Sequence, residues 1–193
     1  MSRSSSRYRA HLTVRASDGR GFLAENLSRH GLFIKDATGL AVGQRITVDV
    51  DLSGIGDCRV TAEVAHVITL EAAASLGRAP GAGLTVIEWL DDAEDLWASY
   101  LRRLNRRGDV VVLAVDELTG FLLAAAGYQV AAAPAPGDLA QVIAASDVPI
   151  IAVVVPRERA AGYARAAGPR LPVIAVDNPG DIEPLLDRLD GQL

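Results

Sequence analysis

Cysteine is nearly absent from this sequence: Cys58 is the only one in 193 residues. A single thiol excludes an intramolecular disulfide framework and a zinc site built on cysteines. Lysine is as scarce, with Lys35 alone. The histidines are His11, His30 and His66, and no metal-ligand spacing joins them to an acid or to Cys58. No apolar run approaches the roughly 20 residues that a membrane-spanning helix needs. The opening residues MSRSSSRYRAH are basic, and no apolar segment follows them, so a secretory signal is not expected. A Ser nucleophile elbow and a G-x-G-x-x-G opening a helix are also missing. The expectation is a cytoplasmic protein with no metal, no cofactor and no enzymatic activity.

What is present suffices for a core: half the residues are hydrophobic and 22% are charged. Charge is divided unevenly. Residues 1–107 carry 14 basic and 13 acidic side chains, whereas residues 108–193 carry 5 and 11. The chain is too acidic for general nucleic-acid binding, although its first seven residues hold two arginines and no acid.

Periodicity changes at the same point. Residues 8–90 read as short strands separated by turn signals. His11–Ala16 alternates and Asp18-Gly19 follows as a hairpin turn. Gly21–Leu27 and Leu32–Lys35 are the next strands, and Arg45–Leu52 alternates strictly, with Ile46, Val48, Val50 and Leu52 facing one way. Arg59–Ile68 puts Val60, Ala62, Val64, His66 and Ile68 on one parity, and Gly83–Trp89 is the last strand. Six short antiparallel strands in about 80 residues predict a small barrel, because closure removes exposed edges. Asp91–Arg107 reads as a helix capped by Asp91 or Asp92, with Leu96, Tyr100, Leu101 and Leu104 as its apolar stripe. Four arginines, among them Arg106 and Arg107, fill its end against the helix dipole. Gly108 stops it and sets the expected boundary between domains 1–107 and 108–193. Beyond it, Val110–Val115 is a continuous apolar run, typical of a strand buried on both faces. Three further strands (Gln129–Ala133, Ile150–Val155, Val173–Val176) alternate with helices Leu118–Ala126, Asp138–Ala145, Arg157–Ala167 and Asp181–Leu189. Four β/α units predict a small parallel sheet covered by helices.

Two short motifs stand in the first half. Arg3-Ser-Ser-Ser-Arg7 has the form R-x-x-x-R and precedes the first strand; Asn26-Leu-Ser28-Arg-His-Gly31 has the form N-x-S-x-x-G and joins two strands. With Gly31-Leu-Phe-Ile34, Leu40-Ala-Val-Gly43 and Pro80-Gly-Ala-Gly83 following in order, residues 3–107 resemble a PilZ domain. That resemblance implies a six-stranded barrel with a trailing helix that binds cyclic di-GMP, a bacterial second messenger. It implies that Arg3 and Arg7 wrap the ligand and that Asn26 and Ser28 contact guanine and phosphate. Gly31 is expected to let the backbone turn and the ligand approach. The chemistry agrees: guanidinium donates a bidentate pair to the guanine O6/N7 edge and stacks on purine faces. Arg9, Arg29 and His30 flank the motifs as accessory candidates. His66 stands where many family members carry Trp, and Val86 where Phe is common; the expected effect is on barrel packing.

The second half is similar to a response-regulator receiver, truncated and degenerate. Asp116-Glu117 follow its first strand as a receiver's acidic pair would. The third strand ends Val153-Val-Val-Pro156 without a phosphoacceptor Asp, no Lys follows Lys35, and four β/α units stand where receivers have five. Phosphotransfer is not expected, and Asp116 is expected to cap a helix. The reading is therefore a cyclic di-GMP-binding signalling adaptor, of a family that commonly acts in motility or exopolysaccharide production. Its alternative is a ligand-independent interaction module on the same scaffold. The residues name no protein partner and leave homo-oligomerisation open.

Overall fold

The computed structural model describes residues 7–37 and 39–193. The chain divides between Arg102 and Arg103 into two compact units.

The first unit is a closed antiparallel barrel of six strands: β1 Arg7–Ala16, β2 Gly21–Ser28, β3 Gly31–Lys35, β4 Arg45–Leu52, β5 Gly56–Ile68 and β6 Gly81–Trp89. Their order around the barrel is β1-β2-β3-β6-β5-β4. Alternation builds the interior. Ile46, Val48, Val50 and Leu52 are buried, and they face Ala62, Val60, Cys58 and Gly56 in register on β5. Leu12, Val14, Leu27, Ile34 and Leu84 fill the remainder of the barrel core.

Bulges break the simple alternation at two places that matter below. Glu25 is an extra residue on β2 between Ala24 and Asn26. Ala24 therefore points into the core while Asn26 and Ser28 face out on either side of the buried Leu27. Ala65 is an extra residue on β5 between Val64 and His66. The parity expected from sequence fails there: Val60, Ala62 and Val64 are buried, but His66 is exposed on the outer surface. A bulge inserts one residue and reverses every later side chain.

A short helix that alternation does not reveal, α1 (Leu70–Leu76), leaves β5. It is capped by the Thr69 hydroxyl and ended by Gly77 in the left-handed region. The longer α2 (Ala93–Asn105) ends before the expected Arg107, and a 3-10 turn, Arg106–Asp109, follows. Ala93, Trp97, Tyr100 and Leu104 are its buried stripe at helical spacing, with Leu96 and Leu101 at the margins. Trp97 anchors α2 to the barrel: its indole N–H donates to the Ser28 carbonyl at 2.9 Å, and its ring meets Trp89 edge-on at 5.4 Å.

The second unit contains a parallel sheet of β7 Val111–Ala114, β8 Gln129–Ala132, β9 Ile150–Pro156 and β10 Val173–Val176, ordered β10-β9-β7-β8. The helices are α3 Glu117–Ala125, α4 Leu139–Ala145, α5 Ala160–Ala167 and α6 Glu183–Asp190. The central strands β7 and β9 are buried on both faces, as their continuous apolar runs require, whereas the edge strand β8 is largely exposed and β10 is half-buried. Val112, Ala152, Val154 and Ile174 pack with Leu123 of α3 and Leu185, Leu186 and Leu189 of α6. Leu113, Val153 and Val155 pack with Leu139 of α4 and Tyr163 of α5. Arg107 does not serve the helix dipole in water; it is buried. Its guanidinium donates to both carboxylate oxygens of Asp190, at 2.8 and 2.6 Å, and to the Ala126 carbonyl at 3.0 Å. The Tyr128 hydroxyl donates to the same carboxylate at 2.5 Å, so that each buried charge has partners.

Candidate functional site

Strand register brings the two motifs together. Arg7 on β1 pairs with Ser28 on β2, Ser28 with Gly31 on β3, and Gly31 with Thr85 on β6. The next outward row runs Arg9, Asn26, Phe33, Gly83 and His66 across five strands. Residues that are scattered along the sequence thus line one cleft of about 180 Å³ on the outer barrel surface. Its walls include Arg7, Asn26, Ser28, His30, Phe33 and His66. Arg3 lies outside the described residues. Arg29 is exposed at the turn beside the cleft.

Each side chain has a distinct local situation. Arg7 is exposed, and its guanidinium makes no ion pair among the described residues; the Asn26 amide makes no hydrogen bond among them. Both line the cleft. Ser28 is committed. The β2–β3 connection has only two residues, Arg29 and His30, and neither takes the positive φ that such tight hairpins usually use. The Ser28 hydroxyl holds the turn instead, accepting from the His30 N–H at 3.4 Å and donating to the Gly31 carbonyl at 3.3 Å. The His30 carbonyl in turn accepts from the Val86 N–H at 2.9 Å, tying the turn to β6.

The glycines of the cleft are explained by packing. A Cβ on Gly31 would stand 1.9 Å from the Leu84 carbonyl oxygen, so β6 forbids a side chain there whether or not a ligand is bound. This replaces the expectation that Gly31 serves the turn. A Cβ on Gly83 would stand 2.0 Å from Cε1 of His66. The imidazole lies directly over the bare Gly83 backbone and stacks on the Phe33 ring, 6.2 Å between centroids and 23° between planes. Sequence reading assigned His66 to packing; the structure places it in the cleft wall. The signal that could have found it was the pairing of a strand histidine with an opposed glycine, which is hidden until the Ala65 bulge fixes the register.

The chemistry on offer is recognition. The cleft holds one permanent cation, an amide with both donors and an acceptor, two imidazoles and an aromatic face. Among the described residues no His, Cys, Asp and Glu groups cluster as a metal site. Cys58 is buried, and its thiol is pushed up to about 12 by burial, then by the Asp92 and Asp49 charges, which removes it as a thiolate nucleophile.

In the second unit, Asp116 is the N-cap of α3. Its carboxylate accepts from the Thr119 N–H at 2.9 Å and the Thr119 hydroxyl at 3.2 Å, as expected for a capping residue. Also beyond the C-terminal ends of the strands, after β9 and β10, the exposed Arg157 and Asp177 form an ion pair that holds the Asp177 carboxyl below its usual range. No described helix is long and apolar enough to cross a membrane.

No family model and no curated protein matches the chain. Among solved structures it is similar to the Bacillus subtilis inhibitor of motility MotI/DgrA, with 20% identity and a TM-score of 0.42 over 53% of this chain and 51% of that one. It is also similar to Escherichia coli YcgR in complex with c-di-GMP, with 17% identity and a TM-score of 0.43 over 54% and 46%. The Klebsiella (K. pneumonia) MrkH–c-di-GMP complex gives 17% and 0.41 over 54% and 52%. The matched span takes in about half the length of each of these three proteins.

Proposed function

We propose that the barrel cleft binds cyclic di-GMP and that the chain is a non-catalytic signalling adaptor of PilZ type. The observation that carries this reading is the register. It sets Arg7 beside Ser28 and Gly31, and Asn26 in the neighbouring row, so both motifs present polar groups to one cleft. Arg7 supplies a fork of donors for a phosphate or a guanine O6/N7 edge, and Asn26 an amide for a base edge. Arg3, four residues before Arg7, reaches a second part of the same ligand. When ligand binds, the arginine arm is fixed against the barrel, and the changed surface alters capture of a protein partner.

A receiver-like reading of the second unit is supported by its strand order, in which β7, the first of its strands in the chain, is flanked by β8 and β9. We read it as a docking module rather than a phosphoacceptor, because Asp116 is engaged in capping and β9 ends in Val155-Pro156.

The other reading is a ligand-independent interaction module, and one observation favours it: the Ser28 hydroxyl is already used within the turn. Isothermal titration calorimetry with cyclic di-GMP separates the two. Saturable binding, weakened at least about tenfold in Arg3→Ala/Arg7→Ala (about 1.4 kcal/mol) with the barrel still folded, supports the sensor. A folded wild-type chain that takes up no nucleotide supports the ligand-independent module.

A further inference from the structure

We propose that the α/β unit associates with a second copy of this chain through helix α3 and the open edge of β8, joining the two parallel sheets into one. The inference is independent of what the barrel cleft binds. It starts from charge. No charged residue stands between Leu118 and Gly137, in a chain of which 22% is charged. That stretch holds all of α3 after its first residue and the whole of β8. A helix that is apolar on every side belongs in a core. Here α3 buries Thr119 and Leu123, yet Phe121 is 70% and Leu118 51% exposed. β8 ends its sheet, and no strand pairs with its other side among the described residues. Edge strands are ordinarily protected by charge, proline or a bulge. Gln129-Val-Ala-Ala132 carries none of these.

The two exposed features lie side by side. Gly120 faces the sheet, since a Cβ on it would touch Val130 of β8 at 3.4 Å and Ala114 of β7 at 3.6 Å. Thr119 lies to one side of it, bonded to the Pro179 carbonyl beyond β10, the strand at the far end of the sheet. With 3.6 residues per turn, Ala124 and Phe121 fall on the other side, above the β8 edge. The Ala133 N–H donates to the Ala114 carbonyl on β7 at 2.9 Å, so alternation turns the N–H and C=O groups of Val130 and Ala132 to the open side. One two-fold axis perpendicular to the sheet covers both features. It sets Val130 opposite the second copy's Ala132 in an antiparallel ladder. It also keeps both α3 helices on one face, antiparallel, with Phe121 of each over Ala124 of the other. The two Glu117 carboxylates then stand at opposite ends of the helix pair. Charge selects the occupant. Residues 108–193 hold 11 acidic and 5 basic side chains, so two such units repel over most of their surface and meet where no charge stands. A partner chosen by opposite charge finds nothing on this face to select it. Nine residues of α3 and four of β8 on each copy fall short of the about 20–30 a side of a standard interface, so the dimer is reversible.

The test is sedimentation equilibrium of the full chain between about micromolar and about millimolar concentration. The wild-type mass is expected to rise with concentration toward that of a dimer. Phe121→Glu and Phe121→Lys alter an exposed side chain and leave the fold intact, as circular dichroism checks. Each alone associates at least about tenfold more weakly, because like charges meet near the axis, and their equimolar mixture recovers association. Amide exchange locates the strand pairing: protection at Val130 and Ala132 rises with concentration, while Ala131 and Ala133, turned toward β7, do not change. A wild type that stays monomeric up to about millimolar overturns the inference and leaves the face to another occupant. A dimer that survives Phe121→Glu overturns it, as does a mixture that associates no better than its parts. Exchange at Val130 and Ala132 that ignores concentration overturns it as well.

Discussion

At Gly31 the molecule tolerates no side chain, because the Leu84 carbonyl occupies the place where a Cβ would stand. Gly31→Ala must push β3 away from β6, and we expect a loss of about 1–3 kcal/mol, read as a lower urea midpoint for the barrel. Cys58 makes a second residue-level prediction. Its thiol titrates near 12 in the fold against 9.0 ordinarily, so the folded state holds that proton more tightly than the unfolded one. The resulting stability is complete below pH 9 and is lost as pH rises toward 12, at no more than about 1.4 kcal/mol per pH unit. Cys58→Ala should flatten that alkaline slope, and native protein should resist a thiol reagent that labels it at once in denaturant. Rapid labelling of the native thiol would contradict the burial. In the second unit the Arg107–Asp190 pair is 1% and 2% exposed. Asp190→Asn leaves a buried guanidinium without its counter-charge, at an expected cost of about 3–5 kcal/mol by denaturant titration.

At the scale of elements, the anchoring of α2 is the most consequential contact in the first unit. Trp97 both fills space and holds the Ser28 carbonyl, directly beneath the cleft. Trp97→Ala should lower stability by about 3–5 kcal/mol and disturb the hairpin that carries the N-x-S-x-x-G motif, visible as amide shift changes at Ser28 and Gly31. Much of this architecture was legible in the chain. Strict alternation gave β4 to the residue, and the unbroken apolar runs distinguished the doubly covered parallel sheet from the barrel. The illegible parts have physical reasons. Alternation carries no mark of a bulge, so the outward turn at Ala65 was hidden and His66 was read as packing. The stripe Leu96, Tyr100, Leu101 and Leu104 omitted Trp97, although Ala93, Trp97, Tyr100 and Leu104 form the buried line. Arg107 looked like one more exposed arginine, because nothing local announces an Asp190 partner 83 residues away. Helix α1 is a single capped segment too short for periodicity to declare.

At the scale of the whole chain there are two compact units: a barrel that carries the cleft proposed to bind nucleotide, and an α/β unit in which Asp116 caps α3 and Asp190 pairs with Arg107. Arg7, Asn26 and Ser28 were singled out by the resemblance of two motifs to those of PilZ domains, and they line one cleft, whereas the ring wall of Phe33 and His66 became visible only with the register. The central claim is that cyclic di-GMP binds this cleft and no other surface. The measurement that tests it most directly is mapping of amide chemical shifts in the intact chain as the nucleotide is added. The account predicts perturbations centred on Arg7, Asn26, Ser28, Gly31, Phe33, His66 and Gly83, with the opposite barrel wall around Thr13, Asp49 and Arg59 unmoved. Shifts centred on that other wall or on the α/β unit, or no shifts at saturating nucleotide, would contradict it.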